Sequence, residues 1–488
     1  MSTITKVDLP RHVEPVDEIL PLGQMIVYGF QHVLVMYAGA IAVPLIIGKA
    51  VGFTDSQIIL LISTDLFICG CGTILQSIGI GKWIGSRLPI VQGCTFAALI
   101  PLGLIGQQYG IGGISGAVIV AGIFTLICAP WISKLVRFFP KVVMGTIVTL
   151  IGLSILPVAG GWIGGGDAQA ATFGNLGSLV MACFTLVVIL TLYTFSTGML
   201  KNLAVLLGII IGTLIDFFQG KLNIGSLDEV GWLTFPKIMR FATPEFHFVP
   251  AVLLSMVMIV VMVETMSSMM AMGEIVGRTA DKNVLKRGLY ATGAATLVAG
   301  VFNMFPYSAF AQNVGLVSMT GIRSRFIVGV AGCILIVMGM FPVLAALVVA
   351  VPKPVLGGAG IVMFGMVAVA GIRTLGLVDY RNNNNGMVVA LTLSIGLMPV
   401  LVPQLFHNLP PEIAMFLHSG ITIGTAVAII SNLALNGGDR KKDPACAHCE
   451  PGEIDNSTTA ARSAAIRTVR VWLLVRRARE ERAAHKKL

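Results

Sequence analysis

Residues 248–273 read FVPAVLLSMVMIVVMVETMSSMMAMG, with one charged side chain, Glu264, deep in the run. About 20 apolar residues in a helix cross the hydrocarbon core of a bilayer, so this run is long enough to span. An ionisable group at that depth costs about 2.5 kcal/mol or more on insertion scales and reads by default as functional. Thr265 adjoins Glu264, and Ser267 and Ser268 follow at i+3 and i+4 on its own helical face. The competing reading, a hydrogen bond that only holds helices together, is the weaker one.

The rest of the chain repeats the pattern. Of 488 residues, 56% are hydrophobic and 11% charged, against about 25% charged in soluble domains. Mean hydropathy is +0.88. Apolar runs fall near 24–48, 56–79, 88–106, 110–132, 142–159, 178–196, 203–219, 248–273, 288–304, 309–320, 326–350, 355–373, 386–403 and 414–435. This is an all-α integral membrane protein with fourteen expected transmembrane segments. Lys and Arg concentrate in alternate joints: Lys82 and Arg87; Lys134, Arg137 and Lys141; Lys201; Arg278, Lys282, Lys286 and Arg287; Arg323 and Arg325; Arg373 and Arg381. By the positive-inside rule those joints are cytoplasmic, and both termini with them. The loop 220–247 is the exception, carrying Lys221, Lys237 and Arg240 among three acids. Residues 1–22 lack the basic-then-apolar layout of a signal peptide and read as a cytoplasmic lead-in. The basic tail, with Ile466, Val469 and Leu473 at helical spacing beside Trp472, reads as a helix on an anionic inner leaflet or as a solvated tail. A lone C-x-x-C, Cys446 and Cys449, falls short of a metal site. The net charge of +10 sits largely in the tail and the inside loops, and nothing suggests nucleic acid.

One motif occurs twice. PKVVMGTIVTLIG starts at Pro140 and PKPVLGGAGIVMFG at Pro352, so Pro, Lys, Val and Gly recur at an offset of 212. These are the fifth and twelfth runs. Seven elements apart means opposite orientation, which is the inverted-repeat plan of many transporters. The same seven-element step relates the third run, interrupted by VQGCTF (residues 91–96), to the short tenth run at 309–320. Interrupted segments at matching places in inverted halves point to a midplane binding site. Gln312 and Asn313 lie there, and amides both donate and accept, which suits a planar ligand with N–H and C=O edges. For Asn313, satisfying broken backbone is the better reading, and Gly315 reads as allowing close backbone approach. Thr95 and Phe96 stand at the third-run break, where Phe96 is placed to stack on a flat ring. Gln31 and His32 in the first run and Asp65 in the second complete the polar groups at depth. Asp65 reads as a proton site or as a partner for another polar group.

The string from Gln312 to Gly321, QNVGLVSMTG, resembles the signature of the nucleobase–ascorbate transporter family, nucleobase–cation symporter 2. Gln31-His32 resembles the family's first-helix pair, and Glu264 its eighth-helix carboxylate. The likeness covers roughly residues 20 to 435, and the RTVRVWLL stretch of the tail is similar to bacterial uric acid permeases. It implies a seven-plus-seven inverted repeat with a cytoplasmic segment at 1–22, a core domain at 23–138 and 246–350, a gate domain at 139–245 and 351–436, and a cytoplasmic tail at 437–488. It implies proton-coupled uptake of an oxidised purine across the inner membrane by a homodimer, with no cofactor besides the proton. Glu264 and Gln312 would hydrogen-bond the purine, Phe96 would stack on it, and Thr95 and the backbone near Phe96 and Ala311 would complete the pocket. Gln31, His32, Asp65, Ser268, Thr292, Asn313, Gly315, Thr320 and Gly321 would support it. Thr95 is similar to urate carriers and Gly321 to xanthine carriers, so urate leads and xanthine follows. Thr292 stands where many relatives carry an Asp, which leaves Glu264 and Asp65 as the acids for coupling. Rival readings are a same-fold transporter of a uracil-like pyrimidine, ascorbate or an inorganic anion, and, further off, a channel. Within the spans there is no metal cluster or nucleophile–base pair of the kind an enzyme needs.

Overall fold

Backbone N–H and C=O groups at membrane depth find no water, so each apolar run has to pair its own. A computed structural model shows how, and describes residues 14–135, 140–166, 169–219, 231–381, 383–406 and 408–437. The tail expectations, Cys446 and Cys449 included, and residues 1–13 lie outside the described residues. The elements in order are α1 (Leu22–Ala50), α2 (Asp55–Ser77), β1 (Gln92–Cys94), α3 (Leu99–Leu135), α4 (Lys141–Ile163), α5 (Leu176–Phe195), α6 (Met199–Asn202), α7 (Ala204–Phe218), α8 (Phe248–Val276), α9 (Lys282–Val301), β2 (Tyr307–Ala309), α10 (Ala311–Thr320), α11 (Arg325–Met340), α12 (Pro342–Val349), α13 (Lys353–Leu375), α14 (Asn383–Leu401), α15 (Pro411–His418) and α16 (Gly420–Asn436). Local sequence marks many ends. Thr54 and Gln57 close a capping box on α2. Asp281 caps α9 by accepting from Val284 N at 2.8 Å. Gly277 and Gly321, at φ 78° and 70°, end α8 and α10 in the left-handed conformation.

By length and composition, eight of the described helices are able to cross a bilayer, or nine if α11 and α12 form one span bent by 78°. The apolar helices α7 and α16 are shorter. α5 and α14 leave most of their apolar windows open, with only 22% of each buried, and expose Val187 and Leu190 on α5 and Met387 and Leu391 on α14. Open apolar faces of this extent mark lipid as the solvent.

Several runs differ in detail from the sequence expectation. The 88–106 run is not helical at its start: β1 occupies it, followed by a 3-10 turn at Phe96–Ala98, and helix begins at Leu99. That helix continues into the 110–132 run across Gly110, whose φ of 64° and ψ of −168° lie outside the helical region. The 326–350 run breaks at Phe341, before Pro342, which has no N–H to donate. The 414–435 run divides at Ser419 between α15 and α16. Before α1, Asp17 reaches Arg325 and Arg278, and Ser324 Oγ donates to Glu18 O at 2.6 Å. These contacts fix the described end of the N-terminal segment to the starts of α11 and the loop after α8.

The two PK-motif helices, α4 and α13, pack on each other through small residues. A Cβ added at Gly145 would lie 2.9 Å from the Leu375 side chain, one at Gly152 2.3 Å from Ala368 N, and one at Gly357 2.5 Å from Ile163 N. Rising numbers on α4 meet falling numbers on α13, so the pair is antiparallel and held at backbone contact. Gly371→Ala would set its Cβ 2.3 Å from Thr149 N. Overpacking of this kind costs about 1–3 kcal/mol. The unfolding temperature of Gly371→Ala in detergent should fall, whereas Gly365→Ala on the same helix, with nothing within 4 Å, should leave it level or raised.

Candidate binding site

Two breaks in the helical pattern meet in one place. β1 pairs antiparallel with β2 in the register Gln92↔Ala309, Gly93↔Ser308 and Cys94↔Tyr307. Thr95 N donates to Pro306 O at 2.9 Å, and Phe310 N to Val91 O at 3.0 Å, which extends the ladder at both ends. Each strand leads straight into a helical start: the Phe96–Ala98 turn into α3, and Ala311 into α10. Helical starts leave N–H groups without intrahelical partners and carry partial positive charge. The pairing therefore sets two such starts side by side inside the bundle.

α8 packs against β2, the Phe96–Ala98 turn and α10. Glu264 is half-buried on it, and its Oε2 is enclosed without a hydrogen-bond partner. Gln312, in the first turn of α10, is half-buried, while Ala311 and Gly315 on the same face are exposed. A Cβ at Gly315 would meet nothing within 4 Å. The face of Gly315 looks onto open space, and no neighbour within the fold demands a glycine there. Phe96 is 9% exposed and packs edge-on to Phe364 at 5.8 Å and tilted to Phe310 at 6.4 Å; Phe364 continues to Trp162 at 6.2 Å. The Phe310 ring covers Gly93, where a Cβ would come within 2.2 Å of it. Glycine is required there.

Three polar clusters brace this arrangement. Asp65 on α2 accepts from Tyr307 Oη at 2.6 Å and from Cys94 Sγ at 2.8 Å through the same oxygen, and from Cys69 Sγ at 3.6 Å through the other. Cys94 and Tyr307 are register partners, so one carboxylate grips both strands. Of the two readings of Asp65, the structure shows the partner for polar groups. Asn313 Nδ2 donates to His32 O and to His32 Nδ1, both at 3.0 Å. The carbonyl contact fixes the amide nitrogen on that side, so the imidazole accepts at Nδ1 and carries its proton on Nε2. Asn313 thus locks α10 to α1, and the groups it serves belong to His32 within the continuous helix α1 and not to the broken backbone that the sequence suggested. Gln92 Nε2 donates to Thr292 Oγ1 at 2.9 Å, joining β1 to α9.

Other expected residues fall further from the chemistry. The Thr95 hydroxyl accepts from Ala97 N at 3.2 Å and caps the turn. Thr320 Oγ1 donates back to Leu316 O at 2.9 Å, and Gly321 ends α10 in open space. Eight residues of helix, about 12 Å, separate Thr320 from Gln312, so the end of the signature terminates the helix. Gln31 is buried on α1 at 5% exposure and Ser268 on α8 at 7%. Sequence reasoning passed over Gln92, Cys94, Tyr307 and Phe310. The VQGCTF break contained two of them; the distant Tyr307 carried no local signal.

The decisive comparison is with protein families: the Xan_ur_permease model, described as a permease family, matches residues 23–405. The chain belongs to this Permease family. The permease is 42% identical over 470 residues to the uric acid transporter UacT of Escherichia coli, covering 96% of this chain and 95% of that one. It is 40% identical to the xanthine permease of Bacillus subtilis, with 85% and 94% covered, and 41% identical to the uric acid permease PucK of the same species, with 83% and 94% covered. Its fold is similar to the transmembrane domain of the cyanobacterium bicarbonate transporter BicA (TM-score 0.55, 14% identity, 86% of this chain and 99% of that one). It is also similar to the murine Slc26a9 anion transporter in the inward-facing state (TM-score 0.59, 12% identity, 86% and 69%). The permease is a multi-pass membrane transporter and not an enzyme.

Losing a buried hydrogen bond to a carboxylate costs about 1–3 kcal/mol, and after loss of the Tyr307 hydroxyl that Asp65 oxygen keeps only the weaker Cys94 donor. Tyr307→Phe keeps the ring and deletes the hydroxyl that Asp65 accepts from. The permease carrying it should unfold at a lower temperature in detergent than wild type, as read by intrinsic fluorescence; an unchanged midpoint would show that the clamp carries no load.

Proposed function

We propose that this permease takes up an oxidised purine, urate or xanthine, by alternating access coupled to protons. The observation that carries the reading is Glu264: a carboxylate with an enclosed, unpartnered oxygen on α8, beside two paired helix breaks. A carboxylate in lipid surroundings without a partner is an expensive arrangement, and a ligand with N–H groups relieves it. In the proposed cycle Glu264 accepts a proton from outside and hydrogen-bonds the purine. Gln312 pairs with an N–H/C=O edge, Phe96 packs on the ring, and backbone groups near Phe96 and Ala311 close the pocket. Thr95 acts by shaping the turn that holds Phe96. The names of the uric acid and xanthine relatives support this substrate class.

The proposed architecture is fourteen elements in two inverted sets of seven, with both termini in the cytoplasm, core segments 23–138 and 246–350 and gate segments 139–245 and 351–436. The packing of α4 on α13 supports it. The Gly145 contact with Leu375 and the Gly357 contact with Ile163 exchange under the same offset, since 145 + 212 = 357 and 163 + 212 = 375. A contact and its mirror at one helix crossing is what a pseudo-two-fold axis produces. A homodimer in the inner membrane completes the proposal. An inorganic anion as sole substrate is disfavoured, because it brings no N–H to the unpartnered oxygen of Glu264.

Labelled urate and xanthine, offered to cells with and without a protonophore, test the reading. Protonophore-sensitive accumulation of either is expected. Glu264→Gln should reach the membrane normally and lose accumulation. Gln312→Ala should weaken uptake by about tenfold or more, the value of about one lost buried hydrogen bond. Normal accumulation by Glu264→Gln would sink the mechanism.

A further inference from the structure

α2 presents a polar stripe to β1. Asp65, Cys69, Thr73 and Gln76 are spaced four, four and three residues apart and share one helical face. β1 lies along that face: Cys94 donates to Asp65, and Gln92 N donates to Thr73 Oγ1 at 3.0 Å. α8 and α9 close the other side. Gln92 Nε2 reaches Thr292, Thr292 Oγ1 donates on to Gly288 O at 3.2 Å, and Gln76 Nε2 lies 3.6 Å from Met269 Sδ. A Cβ at Gly288 would fall 2.2 Å from Met269 Sδ and 3.1 Å from Gln76 Nε2. Thr265 lies one turn before Met269 on α8, as Gly288 lies one turn before Thr292 on α9. The four elements thus share one polar interior.

Three oxygens in this interior have no hydrogen-bond partner: Gln76 Oε1, Gln92 Oε1 and Thr265 Oγ1. All three residues are 0% exposed. A stranded polar group costs about 1–3 kcal/mol or more in such surroundings, and here three come from three different elements. The two amide oxygens only accept, and the Thr265 hydroxyl both accepts and donates, so what satisfies all three both donates and accepts hydrogen. The crowding at Gly288 leaves no room for a ring. Water fits both conditions, needing two to four polar partners and little space.

The interior also has two ends. Thr265 follows Glu264 in the chain. Gln76 stands next to the end of α2, where its carbonyl accepts from Arg87 N at 3.1 Å and Ser86 Oγ at 3.4 Å in the loop 79–87. Asp65, the acid on the same stripe, is engaged by Tyr307, Cys94 and Cys69 at the opposite end, so the free acceptors begin at Gln92.

We infer that Thr265, Gln92, Thr292 and Gln76 hold a file of water that carries the coupling proton between Glu264 and the loop 79–87. The inference rests on the proton coupling proposed above, and these four act as positioning residues for water, without touching the purine.

The test uses the full-length protein in liposomes with labelled urate or xanthine and two readouts: exchange against unlabelled substrate without a gradient, and accumulation driven by an imposed pH gradient. Thr265→Val and Gln76→Leu should exchange like wild type and lose pH-driven accumulation by about tenfold. Thr265→Ser, which keeps the hydroxyl, should accumulate like wild type. Thr265→Val changes shape so little that it remains decisive if Gln76→Leu fails to fold. Undiminished accumulation in Thr265→Val overturns the inference, as does exchange falling in step with accumulation. Wild type that exchanges but accumulates only with a sodium gradient overturns the proton reading itself, and the water file with it.

Discussion

The structure hangs on six residues of β-ladder inside a helical bundle. A helix interrupted at membrane depth exposes backbone groups that lipid cannot satisfy. Here two interruptions satisfy each other, Gln92–Cys94 against Tyr307–Ala309. Neither break is tenable alone, so the third and tenth runs have to fold against one another although more than 200 residues separate them. Once paired, they fix where two helices start, and those starts define the candidate site. Asp65 makes the pairing specific: it takes hydrogen bonds from Cys94 and Tyr307, the residues facing each other across the ladder.

Side-chain size enforces the same geometry. Gly93 has no side chain because the Phe310 ring lies where one would be, and Gly39 on α1 brings a second backbone up to that ring. From Phe310 the aromatic contacts run through Phe96 and Phe364 to Trp162 on α4. The break is therefore joined by packing to the α4–α13 pair, whose own glycines hold two helices at backbone distance. A ligand at Phe96 would touch the ladder through one contact and the α4–α13 pair through the next. In the proposed transport cycle, binding and helix movement would share those residues.

Periodicity and charge made the helical membrane plan legible, because an apolar run of bilayer length has few alternative readings. The break at 91–96 showed through its glycine and polar residues. That it forms a strand did not, since three extended residues acquire meaning only from a partner far along the chain. Glu264 and Gln312 were legible because polarity at depth is rare. Glycines were harder to read, because one looks the same in sequence whether a neighbour crowds it, as at Gly93, or open space lies beside it, as at Gly315. Tyr307 gave no sign, because a tyrosine near a run end fits an interface as well as a buried clamp.

Glu264 and Asp65 show why burial alone does not assign a role to an acid. Both lie at depth in apolar helices, and both would be flagged by the same insertion argument. Asp65 has its oxygens taken up by two thiols and a phenol, all three of them donors held by the fold. Such a carboxylate is a fastener: displacing its partners would open the strand pair. Glu264 has an oxygen that nothing in the fold engages, so a ligand or a proton can occupy it without breaking a structural bond. In the proposed cycle the unmade hydrogen bond, more than the depth, is what assigns the working role to Glu264, and the inferred water file rests on Thr265, Gln92 and Gln76 by the same reasoning.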